Sequence, residues 1–112
     1  MINYIIENDA NKRDTGIIPQ SDTIYNLVLS ASTEKVVDVP TGAHIAVFAA
    51  TGSFYCKFDD TVAIPVADVV DGSAGELNPV LRSVNRIEQI HLISSSNIVV
   101  SIAFYSVPRS IV

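Results

Sequence analysis

In the stretch NIVVSIAFYS, residues 97–106, Ile98, Val100, Ile102 and Phe104 fall on alternate positions. An apolar period of two is the mark of a strand with one buried face, because successive side chains of an extended chain point to opposite sides. The constraint recurs along the chain. In YNLVLSA, Tyr25, Leu27, Leu29 and Ala31 share one face and Asn26 and Ser30 the other, and in TEKVVDVP, Val37 and Val39 oppose Glu34 and Asp38. In FYCKF, Phe54, Cys56 and Phe58 alternate with Tyr55 and Lys57. Composition supports this: 15 Val and 14 Ile stand against 5 Leu, and β-branched side chains suit a pleated surface better than a helix.

Turn chemistry divides the runs. Pro40-Thr41-Gly42 supplies a fixed φ and a residue tolerant of positive φ. Thr51-Gly52-Ser53 is expected to join HIAVFAA to FYCKF as a hairpin, and Ser94-Ser95-Ser96-Asn97 to join EQIHLIS to NIVVSIAFYS as a second, with Ile90 and Leu92 inward and Gln89 and His91 solvated. HIAVFAA is apolar on both sides, so Ile45, Val47 and Ala49 are expected beneath a second layer or a neighbouring subunit. The segment 59–84 is the least regular and reads as a long connection with a brief strand at Val62–Ile64 and a helical turn in ELNPVLRSV.

The first 22 residues differ. Ile2, Tyr4, Ile5 and Ile6 form an apolar patch ahead of the polar ENDANKRDTG, which reads as an extended arm or leading strand and a loop. Its expected fate is either a frayed end or an arm packed on a neighbouring subunit. The predicted organisation is an arm over 1–22 and one β domain over 23–112. The fold class is all-β, a small antiparallel sandwich or barrel of six to eight strands.

The sequence holds little chemistry. It has no GxSxG, P-loop, GxGxxG, HExxH or CxxC motif, and its two histidines lack local ligand partners, so neither an enzyme nor a metal or other cofactor is expected. Cys56 reads as a small buried hydrophobe. The acidic residues Asp59, Asp60, Asp68, Asp71 and Glu76 include oxygen donors suited to a hard cation, but their spacing fits no EF-hand, and the expected reading is a solvated connection in which Asp68 and Asp71 make local turn or cap bonds to backbone amides. With net charge −5 and seven scattered basic residues, nucleic-acid binding is not expected. No apolar run is long enough for a membrane helix, and no secretion signal is visible.

The VPTGA turn, the ATGSFYCKF segment, the VADVVDG loop with ELNP after it and the closing IAFYS run together resemble small structural virion proteins of tailed bacteriophages, encoded near the major capsid gene. About two-thirds of the chain carries the likeness; residues 1–22 fall outside it. The resemblance implies a capsid decoration or cement subunit on the head exterior, made in the host cytoplasm. Its implied partners are the major capsid protein and copies of itself, as trimers. The candidate contacts are Ile2, Tyr4, Ile5, Ile6, Ile45, Val47, Tyr55, Asp68 and Asp71. Alternatives are a tail, neck or head-fibre component, or a carbohydrate- or receptor-binding module using Tyr55, Tyr105 and the loop from Asp68 to Glu76.

Overall fold

The alternation dictates the architecture. A computed structural model describes residues 1–13 and 15–110, the last two without their side chains; Ile111 and Val112 of the expected β domain and Asp14 of the arm lie outside the described residues. Among the described residues nine strands form: β1 (Asn3–Ile6), β2 (Thr23–Leu29), β3 (Lys35–Asp38), β4 (Ile45–Ala50), β5 (Tyr55–Phe58), β6 (Glu76–Leu77), β7 (Leu81–Ser83), β8 (Gln89–Ile93) and β9 (Ile98–Ser110). This is one more than the upper expectation, because ELNPVLRSV makes the two short strands β6 and β7 instead of a helical turn; Asn78 between them takes a φ of 51°. No helix occurs among the described residues.

Two sheets face each other. One is ordered β1-β9-β4-β7, with β2 also on β9; the other is β3-β8-β5-β6. The long β9 carries the first sheet, pairing antiparallel with β2 on one side and β4 on the other, and its end pairs parallel with β1. Leu29, Ala46, Phe48, Val100, Ile102 and Phe104 of this sheet pack against Phe54, Cys56, Ile90 and Leu92 of the other to make one core. The inward residues of β5, β8 and β9 are those the alternation names. In β2, Tyr25, Leu27 and Leu29 face the core, while Ala31 lies exposed past the strand end.

Neither expected hairpin forms. β4 and β5 lie in different sheets, as do β8 and β9, so both Thr51–Ser53 and Ser94–Asn97 arch across the core from one layer to the other. The physical reason is visible at the bends. Phe48 and Phe54, on either side of the first arch, both point inward with ring centroids 6.1 Å apart. The arches also lock to each other: buried Ser94 donates its hydroxyl to the Ser53 carbonyl at 2.8 Å. Gly52 is required there, since a Cβ would lie 2.8 Å from Ile98 Cγ2.

The N-terminal segment docks on its own chain. β1 lies along the end of β9, Tyr4 meets Tyr105 edge to face at 5.3 Å, and Ser106 N–H bonds the Ile2 carbonyl at 2.8 Å. Glu7 and residues 15–17 lie against each other through Glu7 N–H to Ile17 O and Thr15 N–H to Glu7 O. The protein is therefore elongated, 50 × 27 × 26 Å, with a radius of gyration of 15.5 Å against about 13 Å for a compact chain of this length.

Ser21 joins arm to sandwich. Its buried hydroxyl donates to the Phe104 carbonyl and accepts the Thr23 N–H at 3.0 Å. Ser21→Ala would leave a buried carbonyl and amide short of a partner, a cost of about 1–3 kcal/mol. Urea unfolding should show a lowered midpoint with an unchanged slope; an unchanged midpoint would mean water replaces the hydroxyl.

Candidate functional site

The expected contact residues do not converge. Ile2, Tyr4, Ile5 and Ile6 are half-buried on the projecting arm, Ile45 and Val47 lie on the outer face of β4, and Tyr55 lies on the outer face of β5. Asp68 is exposed in the segment between β5 and β6. Asp71 is exposed in the same segment, where its carboxylate accepts from the Ser73 N–H at 3.0 Å and the Ser73 hydroxyl at 2.6 Å; those bonds hold its pKa below the usual range. Among the described residues no three His, Cys, Asp or Glu side chains are grouped to hold a metal ion.

Residues 59–75 behave as a strap laid over the outer face of the four-stranded sheet. No strand forms at Val62–Ile64; instead Val62 is buried against Gly75, where a Cβ would come within 2.7 Å of its methyl. Charged groups fix the strap at both ends. Lys57 Nζ donates to Asp60 at 3.0 Å and to the Ser73 carbonyl at 2.8 Å, while Glu34 accepts the Val62 N–H at 2.8 Å. Asp59, at a φ of 57°, accepts the N–H groups of Glu88 and Gln89 at 3.0 and 2.8 Å. His91 does face away from the core, but it is buried instead of solvated, its Nδ1 3.5 Å from the Glu34 carboxylate. The strap and Tyr55 border an open pocket of about 340 Å³ lined by Val62, Ile64, Val66 and Asp68.

The outer face of the other sheet is open except at Tyr105, which is buried against Tyr4 and donates its hydroxyl to the Pro19 carbonyl at 2.6 Å. With Phe104, Ile102 and Val100 inward, the register places Tyr105, Ala103, Ser101 and Val99 of β9 on the outer face. Beside them lie Ile45, Val47 and Ala49 of β4, Ile24, Asn26 and Val28 of β2, and Leu81 and Ser83 of β7. The expected second layer over HIAVFAA is absent among the described residues: Ile45 and Val47 are half-buried by their neighbours and Ala49 is exposed. Val28 is 67% exposed, and Ile24, Val99 and Leu81 are also exposed. This face holds no Asp, Glu, Lys or Arg. Indeed β1, β2, β4 and residues 98–108 of β9 contain none on either side, whereas the four-stranded sheet carries Lys35, Asp38, Lys57 and Glu76. Arg82 of β7 bonds Glu76 of β6 through Nε at 2.9 Å, tying the two sheets at their edge.

The outer-face contribution of Ile24 and Val28 was not anticipated from sequence, where Asn26 and Ser30 suggested a wet face. The available signal was that β2 is apolar on both alternations. Comparison with known proteins finds no matching family model, no matching curated protein and no matching solved structure.

Two outcomes follow from this geometry. Val62→Ala removes the plug that holds the strap and should speed amide exchange across 61–75 while β9 stays protected; unchanged exchange would place the anchor elsewhere. Burial, with a smaller contribution from nearby Glu76, pushes the Cys56 thiol up to about 12. Its thiolate is thus scarce at pH 8, and a disulfide-exchange reagent should react with native protein only after denaturation.

Proposed function

We propose that this chain is a non-enzymatic structural subunit of a bacteriophage virion, a decoration or cement protein that coats the outer head surface. The observation that carries the reading is the segregation of charge. Interface centres are depleted of charged residues, and here a four-strand outer face lacks them altogether in a chain of net charge −5. A contiguous apolar face of this kind is costly to leave in water and is covered in an assembled state. Binding only to assembled capsid would stabilise the shell by mass action. The virion role comes from the sequence resemblance, and the acidic balance favours the outside of the shell over packaged DNA.

Nucleic acid is not among the partners proposed, given the net charge of −5. Two of the seven basic residues, Lys57 and Arg82, pair with Asp60 and Glu76. The partners proposed are the major capsid protein and further copies of this chain.

A labelled chain located on purified particles by electron microscopy tests the reading. Label over the head surface is expected; label on the tail or neck would move the protein there, and absence from particles would overturn the proposal. Val47→Lys places a charge at the centre of the bare face and should weaken particle binding at least tenfold. Val66→Lys, on the strap and fully exposed, should bind as the unmodified chain does.

A further inference from the structure

The free side of β2 is an edge that natural sheets normally protect. Edges are blunted by charge, proline, a bulge or short length, since an open row of N–H and C=O groups accepts another strand. β2 has none of these devices. It runs seven residues, TIYNLVL, with no charged residue and no proline, and its pairing to β9 is regular from Thr23 opposite Phe104 to Leu29 opposite Ile98.

The bonding phase identifies the exposed groups. Val99 and Tyr105 accept from Thr51 and His44 on the β4 side, so the intervening even positions of β9 bond toward β2. Their partners Thr23, Tyr25, Leu27 and Leu29 are thereby used, and the N–H and C=O groups of Ile24, Asn26 and Val28 point away from the sheet. Among the described residues no other backbone or side-chain group bonds them.

We infer that the β2 edge pairs with the β2 edge of a second copy, antiparallel about a two-fold axis at Asn26. The occupant follows from comparing edges. β1, the other uncharged edge, has four residues, β7 has three and β6 two, while β3 has four and carries Lys35 and Asp38. Only β2 matches β2 in length and absence of charge, and antiparallel pairing of identical strands closes on itself as an isologous dimer. Asn26 then faces Asn26 and Ile24 faces Val28, with about six new backbone bonds from the three free N–H groups of each copy. On the core side, Tyr25 and Leu27, half-buried because they sit at an edge, come alongside their counterparts. On the other side the bare faces of the two copies merge into one. This deepens the assembly reading and replaces a three-fold cluster, which would need β2 to meet a different edge, with a two-fold unit.

Sedimentation of the full chain should give a dimer, and Asn26→Pro, which removes an outward N–H without touching the β9 ladder, should weaken it at least tenfold with the fold intact by circular dichroism. Should that variant fail to fold, Asn26→Cys decides. A hydrogen-bonded pair sits about 5.5 Å apart between Cα atoms, within disulfide range, so mild oxidation should produce a covalent dimer, whereas Val28→Cys, opposite Ile24, should not. Cys56 is buried and does not compete. A monomer or trimer at high concentration, or equal crosslinking by both variants, would overturn the inference. A monomer that still coats the head would leave the decoration reading standing; a dimer absent from particles would overturn that reading alone.

Discussion

Everything in this fold hangs on β9, whose backbone is bonded on both sides over residues 98–105. A central strand with one alternation buried has no freedom of register, because a slip of one residue would turn Ile98, Val100, Ile102 and Phe104 to the outside. That fixed phase sets the phase of β2 and β4, and through them which side chains form the core and which form the bare face. It also sets which backbone groups of β2 point into open space. The core, the outer face and the free edge are three consequences of one register.

Much of this was legible. Strands β2, β3, β4, β5, β8 and β9 follow from alternation and turn residues, whereas β6 and β7 do not. The inward set Phe54, Cys56, Ile90 and Leu92 needs no tertiary information. What alternation could not resolve was connectivity. Gly52 and the serines at 94–96 report that the chain bends, and a bend back into the same sheet and an arch into the facing sheet require similar residues. The decision is made by long-range packing: Phe48 and Phe54 converge on one core, and Ser94 bonds Ser53 across 41 residues of chain.

The candidate contact residues were legible only in part, for a related reason. Ile45 and Val47 stood out because they lie in an unbroken apolar run. Ile24 and Val28 did not, since Asn26 between them imitates a polar face. Nor does sequence reveal that His91 is covered, because the cover is the irregular strap, held by Val62 packing against Gly75 and by Lys57 gathering Asp60 and Ser73. Loops without periodicity carry no signal of where they fold back.

The treatment of the two sheets is opposite to what an isolated sandwich would favour. Residues 59–75 lie over the outer face of the four-stranded sheet, the face that carries Asp38 and Lys57 and where water would be tolerated. The five-stranded sheet, with Ile24, Val28, Val99, Val47 and Leu81 outward and no charge to solvate, is covered at Tyr105 by Tyr4 and Pro19 and left open over these five among the described residues. Since burying apolar surface contributes roughly 25 cal/mol per Å², a chain selected to stand alone gains most by laying its spare segment on the second face. Placing it on the first leaves the more apolar face, and the unprotected edge that adjoins it, available together. The bare face and the free edge share Ile24 and Val28, so a partner strand on β2 would also extend the surface that the proposed capsid contact requires.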